Sequence, residues 1–237
     1  MIKVLASGST GNCYIIQAGE EKLLLECGID YKNILIGLEH SIKGVKGCLI
    51  THKHLDHCKS FKKIFEALPK IYAPFEVLEK FQTKDFHKTK LVVNKEKFVI
   101  GGFTIMPFKC QHTNSDTSEC ENFGYLLQHK EIGKILFATD TYYLKYKFKN
   151  VDHILVECNY SEEIMQAIEP HEQRVFKSHM SLETLKDTLK TWDLKKTKTI
   201  TLIHLSKNNS DPERFKQEIE ALTGIPTYIA VPGLEIE

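Results

Sequence analysis

The chain has 237 residues, 42% of them hydrophobic and 27% charged, which is the profile of an ordinary globular protein. Its 32 basic and 31 acidic residues leave a formal net charge of +1, excluding a globally basic surface that would coat nucleic acid. No apolar run approaches the roughly 18 residues of a membrane-spanning helix, and the opening "MIKVLASGST" has no apolar leader core, so no membrane association is expected.

Short strand-type runs recur from the start: "IKVL", "CYIIQ", "KLLLE", "GCLI", "KIYAP", "KFVI", "FTIMPF", "FGYLLQ", "KILFAT", "DHILVE", "KTITLIHL" and "TYIAV". Three helical patterns interrupt them. "SFKKIFEALPK" sets Phe61, Ile64, Phe65 and Leu68 on one face. "SLETLKDTLKTWDL" does the same with Leu182, Leu185, Leu189 and Trp192, behind Ser181 as N-cap. "DPERFKQEIEALTG" opens on Asp211 and Pro212 and stops at Gly224. No linker or repeat divides the chain, so one domain over residues 1–237 is expected. Many strands with few helices point to packed sheets under outer helices rather than a regular βαβ alternation. The seven cysteines (Cys13, Cys27, Cys48, Cys58, Cys110, Cys120, Cys158) cannot all pair, and no C-x-x-C occurs. They read as reduced, small buried hydrophobes in a cytoplasmic protein.

The densest chemistry lies in "LITHKHLDHCKS", residues 49–60, where His52, His54, Asp56 and His57 fall within six positions. A continuous helix would scatter them: His52 and Asp56 would stand roughly 40° apart, with His54 nearly opposite. A turn between the strand "GCLI" and a helix near Ser60 can converge them instead. Imidazole and carboxylate suit Zn²⁺, Mn²⁺ or Fe, and four such donors exceed what one catalytic zinc takes from a protein. Two divalent cations are therefore the economical reading. Further ligands are expected at strand ends, where His112, Asp140 and His204 close or nearly close apolar runs. An aspartate can bridge two cations through its two oxygens. His40, His87, His129, His153 and His171 read as surface or satisfied core histidines, and Cys58 and Cys110 as packing residues beside the ligands.

The run His52, His54, Asp56, His57 resembles the H-x-H-x-D-H signature of the metallo-β-lactamase superfamily, and the resemblance spans nearly the whole chain. It implies an α+β fold, a four-layer αββα sandwich with the site at one edge of the two sheets. It also implies that His52, His54 and His112 hold one metal, that Asp56, His57 and His204 hold the second, and that Asp140 bridges them. "ASGSTGNCYII" and "LIHLSKNN" look like the small cytosolic branch related to DNA exonucleases. "VECNY" and "RVFKSHMS" resemble segments that ribonuclease Z enzymes place beside their metals. That likeness implies that His179 protonates a leaving oxygen while Glu157 orients it; read on its own, His179 is a packing residue ahead of the helix at Ser181. Two departures stand out. Glu26 in "LLLECG" replaces the family's usual aspartate, and "DTYY" lacks its usual glycine, so that Tyr142 and Tyr143 either pack at the strand edge, narrow the entrance or stack on a base.

The expected activity is that of a dinuclear metal-dependent phosphodiesterase, a nuclease acting on single strands or ends through a metal-bridging hydroxide, with Asp56, His179 and Glu157 in the reaction. Ser7, Ser9, Thr10 and the backbone of "GSTGN" form either part of an anion-binding wall or a plain hairpin connection, and Lys207, Asn208 and Asn209 could add to the wall. "CKSFKKIF" and "LKKTKT" are basic runs, read mainly as solvated faces. The alternative is a small-molecule ester, thioester or lactone hydrolase on the same fold. A diiron oxidoreductase fits less well, since its H-x-E-x-D-H pattern has glutamate where His54 stands. A non-catalytic binding protein fits least, since every expected ligand position is filled.

Overall fold

The computed structural model describes residues 1–83, 85–165 and 178–237. One seven-stranded sheet gathers β1 (Ile2–Ala6), β2 (Cys13–Ala18), β3 (Glu21–Leu25), β4 (Val45–Leu49), β5 (Ile71–Ala73) and β6 (Thr89–Leu91), with β16 (Glu235–Ile236) beside β1. The other gathers β7 (Phe98–Ile100), β8 (Phe103–Lys109), β11 (Phe123–His129), β12 (Gly133–Ala138), β13 (His153–Glu157), β14 (Thr199–Ile203) and β15 (Thr227–Ile229). A two-stranded ribbon, β9 (His112–Thr113) and β10 (Glu119–Cys120), stands apart. The helices are α1 (Tyr31–Gly37), α2 (Leu55–Cys58), α3 (Phe61–Ala67), α4 (Phe75–Lys80), α5 (Glu162–Met165), α6 (Leu182–Lys190) and α7 (Pro212–Thr223). Among the described residues no helix is long and apolar enough to cross a membrane.

The strand sequences read as continuous apolar runs because both faces of each sheet are buried. Along β2, Tyr14 and Ile16 enter the core between the sheets while Cys13 and Ile15 face the helices outside. Along β12, Ile135 and Phe137 point inward to meet the same central core, and Leu136 and Ala138 point outward. Ile34 of α1 with Phe61 and Ile64 of α3 cover one outer face. Leu182, Leu185 and Leu189 of α6 with Phe215 and Ile219 of α7 cover the other. The result is the expected order of helices, sheet, sheet, helices. Burying two faces of every central strand is what makes a chain of this length stable, at about 25 cal/mol per Å² of apolar surface removed from water.

The helix ends follow their sequence signals. Ser181 Oγ accepts from the Thr184 amide at 3.0 Å, and Asp211 Oδ1 from the Arg214 amide at 3.1 Å. Gly224 closes α7 in the left-handed region at φ 68°. Trp192 lies beyond the end of α6, yet still packs with it, edge-on to Phe148. The reading of residues 52–57 as a turn needs correction. His54 is extended at φ −66°, ψ 147°, but Asp56 and His57 lie in the single helical turn α2, where the amides of His57 and Cys58 bond back to the His54 carbonyl. The half-loop, half-helix form turns all four donors the same way, which neither conformation alone would do.

Topology places the site. β3 and β4 run parallel in one sheet, and β12, β13 and β14 run parallel in the other. Their C-terminal ends carry Glu26, the loop to His52, Asp140, Glu157 and His204.

Candidate metal centre and active site

Asp140 sits at the middle of the polar cluster, buried, two residues past the end of β12. Its Oδ2 lies 3.7 Å from His52 Nε2 and 3.7 Å from His112 Nε2. Its Oδ1 lies 3.3 Å from His57 Nε2 and 3.6 Å from His204 Nε2. The two oxygens of one carboxylate thus face two separate nitrogen sets. His54 Nδ1 joins the first set, 3.0 Å from His52 Nε2 and 3.1 Å from His112 Nε2. Asp56 joins the second, with Oδ2 3.3 Å from His57 Nε2 and 3.5 Å from His204 Nε2. The structure brings all seven residues singled out as ligands into two groups, each with ligand atoms within 4.8 Å of one another, and Asp140 belongs to both.

The donor set fits divalent cations. His112 Nδ1 donates to the Ser178 carbonyl at 3.0 Å, so the neutral ring presents a lone pair at Nε2. Burial holds His112 down at about 4 and pushes His52 well below its ordinary value, so both rings are neutral near pH 7. Three imidazole nitrogens, His52 Nε2, His54 Nδ1 and His112 Nε2, then converge beside Asp140 Oδ2. In the second set His204 Nε2 is a buried atom without a hydrogen-bond partner, while the unpartnered His57 Nδ1 faces Glu26 on the far side of its ring. There burial opposes the charged form, but the Asp140 carboxylate prevails, holding His57 well above its ordinary value and pushing His204 up to about 10. A site that gathers protons around its carboxylates is one that a cation can fill in their place.

The supports around these residues explain their aim. Thr139 Oγ1 donates to Asp140 Oδ1 at 2.8 Å, and Asn122 Nδ2 to the Asp140 carbonyl at 2.6 Å. Ser7 Oγ accepts from the His204 amide at 2.8 Å, and Asn159 Nδ2 donates to the His204 carbonyl at 2.7 Å. Glu26, the replacement for aspartate, accepts from the Thr51 amide at 3.2 Å through Oε2 and sets Oε1 3.5 Å from His57 Nδ1. Its longer side chain therefore still braces the loop that carries His52 and His57. Glu26, Asp140 and His204 all adopt left-handed backbone, at φ 67°, 49° and 54°. Non-glycine residues pay roughly 1–2 kcal/mol for that conformation, and such strain concentrates at functional sites.

A third group abuts the second set. Glu157, the buried last residue of β13, brings Oε1 to 2.6 Å from His179 Nδ1 and 3.2 Å from His204 Nδ1. Its Oε2 accepts from the amides of Thr141 and Met180. Burial opposes the charge on Glu157, but the neighbouring His179 holds its carboxyl below the ordinary range. His179 is part-exposed and lines the cleft, its ring stacked 5.3 Å from that of His204.

A cleft of about 450 Å³ opens over the cluster, with Ser9, Leu55, Lys80, Thr113 and Ser115 on its walls. Of the expected anion wall only Ser9 lies there. Ser7 is turned inward to hold His204, Thr10 is exposed elsewhere, and Lys207, Asn208 and Asn209 lie outside the lining. Sequence reasoning missed Lys80, whose Nζ donates to the Lys53 carbonyl at 2.6 Å, because α4 lies far from the motif in sequence. It also missed Asn12, which clamps the loop of residues 8–12 and sets Nδ2 3.2 Å from His57 Nε2. Cys58 donates to the carbonyls of His54 and Lys53, and burial pushes its thiol up to about 12, so it packs as expected; Cys110 is likewise buried. His40 and His87 are exposed, while His129 and His153 are buried with Glu131 and Thr199 as partners; His171 lies outside the described residues.

The family model for the beta-lactamase superfamily domain matches residues 22–205. The chain belongs to that family. It is a metallo-β-lactamase superfamily hydrolase. Exodeoxyribonuclease YycJ of Bacillus anthracis is 28% identical over 178 residues, a match covering 69% of this chain and 64% of that protein's length. Exodeoxyribonuclease WalJ of Streptococcus pneumoniae is 25% identical over 229 residues, covering 89% of this chain and 83% of the relative. Among solved structures, the metallo-β-lactamase fold protein YhfI of Bacillus subtilis superposes with a TM-score of 0.76 at 19% identity, covering 100% of this chain and 98% of that one. That superposition bears out the αββα sandwich.

Proposed function

We infer that this hydrolase is a dinuclear metal-dependent phosphodiesterase acting on nucleic-acid strands or ends. The observation that carries the reading is the placing of His179, held at 2.6 Å by the buried Glu157, beside a carboxylate shared by two donor sets. His52, His54 and His112 would hold one cation, Asp56, His57 and His204 the other, and Asp140 both. When bound, the cation pair supplies an acidified solvent molecule and neutralises charge on the attacked group.

The chain's own residues supply the rest. Glu157 accepts from His179 Nδ1, so the opposite ring nitrogen faces the cleft and, when protonated, can give its proton to a departing alkoxide. An alkoxide needs such an acid far more than a thiolate or a phenolate does, which favours phosphodiesters over thioesters. Ser9 and Lys80 on the cleft walls offer a hydroxyl and a cation to non-bridging phosphate oxygens. The names of the YycJ and WalJ relatives agree with a DNA substrate.

The test is hydrolysis of bis-p-nitrophenyl phosphate and of labelled DNA oligonucleotides with Zn²⁺, Mn²⁺ or Fe²⁺ supplied. Turnover of both, lost in His54→Ala, supports the reading. Turnover of a thioester or lactone with no phosphodiester cleavage would instead establish the small-molecule hydrolase.

A further inference from the structure

The stretch leaving Asp140, "TYYLKYKFKNV", holds three lysines and four aromatic residues and no acid before Asp152, in a chain whose net charge is only +1. From Leu144 to Lys149 buried or half-buried residues alternate with exposed ones. Leu144 is buried, and Tyr146 and Phe148 pack partly into the core around Phe108 and Trp192. Lys145, Lys147 and Lys149 lie between them on the exposed side. Among the described residues none of the three lysines sits in an ion pair. Lys95 adds a fourth cation, 5.7 Å from the centre of the Tyr146 ring, where Lys145 also lies at 5.4 Å.

The track begins at the site. Tyr142 donates its amide to the Gln111 carbonyl, next to His112, and Thr141 Oγ1 donates to the Tyr143 carbonyl. The two tyrosines are 37% and 50% exposed. From Tyr143 a cleft of about 410 Å³ runs between this segment and α6, with Thr184, Thr188 and Thr191 on its far wall. That wall starts at Thr184, five residues past His179, and the segment meets its far end where the backbones of Lys149 and Asp193 form an isolated β-bridge. Among the described residues the one acid lining the cleft, Asp187, is paired with Lys190 at 2.8 Å.

We propose that residues 142–149 form a binding track for single-stranded polynucleotide, with Tyr142 and Tyr143 stacking on bases beside the metal centre and Lys145, Lys147 and Lys149 following the phosphates away from it. The track rests on the phosphodiesterase reading for its purpose, but its existence is separately testable. Aromatic faces accept any base, and lysines on the backbone carry no sequence information, so the track binds without base preference.

The experiment measures fluorescence anisotropy of labelled phosphorothioate 12-mers of oligothymidylate and oligouridylate on the metal-loaded protein. Replacing Lys145, Lys147 and Lys149 together by alanine should weaken binding at least tenfold and lower the salt slope by about 2, since each single-strand phosphate contact contributes about 0.7. Tyr143→Ala should weaken it about tenfold, and Tyr143→Phe should restore it. In parallel, the ratio of kcat/KM for a cleavable 12-mer to that for bis-p-nitrophenyl phosphate should fall in the lysine variant. An unchanged affinity, salt slope and ratio in that variant, or no binding of either 12-mer by the parent protein, overturns the track. Binding through these lysines without any phosphodiester hydrolysis would overturn the reaction assigned above and leave the track standing.

Discussion

His179 Nδ1 and Glu157 Oε1 stand 2.6 Å apart, and the same oxygen lies 3.2 Å from His204 Nδ1. One buried carboxylate therefore fixes the ring orientation of both histidines. Glu157→Gln keeps the shape but can turn an amide N–H toward one ring. Cleavage of phosphodiesters with alkoxide leaving groups should fall by about 10²-fold or more, as should His179→Ala. With p-nitrophenolate as the leaving group, His179→Ala should cost far less. Equal losses on the two substrates would remove the acid role from His179.

Asp140→Asn should separate the two faces of the shared carboxylate. Asparagine tolerates the left-handed backbone at this position, so the fold should survive. Its amide nitrogen cannot ligate, leaving one oxygen for two donor sets. Metal content by inductively coupled plasma mass spectrometry should drop from about two ions per chain to about one. Retention of two ions would rule out a bridging Asp140.

Cation uptake should release protons from one half of the site only. Metal-free, His57 and His204 stay protonated at neutral pH, because Asp140 and its neighbours hold both above that range. A cation binds the neutral ring, so it must expel these protons, and affinity of the second set rises with pH. His52 and His112 are already neutral through burial, so affinity of the first set should vary little between about pH 6 and 8. Calorimetric titration in buffers of differing ionisation enthalpy should count about two protons released per pair of ions. Zero would contradict the charge state drawn from the geometry.

Gly28→Ala tests how tightly the ligand loop is seated. The Gly28 amide donates to the Asn12 carbonyl, and a Cβ there would run into the carbonyl of Asp56. Since Asp56 Oδ2 belongs to the second donor set, the loop and that set must shift together. Thermal unfolding should report a loss of about 1–3 kcal/mol, accompanied by weaker metal retention. A variant as stable and as metal-rich as the parent would show that the loop moves freely.

The sandwich was legible because two-sided burial leaves long apolar runs, and every one of the twelve runs read as strands forms one. The segments missed are short or lack side-chain signals. α1 and α4 have no side-chain cap bond, and β6, β9, β10 and β16 have two or three residues each. At the site, the motif residues and strand-end donors announced themselves by chemistry and position. Lys80 and Asn12 did not, since nothing local distinguishes a lysine on a short helix or an asparagine in a glycine-rich turn. Ser7, which fitted either an anion-binding wall or a plain hairpin connection, faces the chain: its oxygen accepts from Tyr14 and His204.

The donor sets also straddle the seam of the molecule. His52, His54, Asp56 and His57 hang from the sheet of β4, whereas Asp140 and His204 hang from the opposite sheet. Each cation would thus rivet one half of the sandwich to the other at its rim. Chelation should loosen the clasp as well as stop the chemistry, so the halves' grip on one another and the enzyme's power to cut share a fastening.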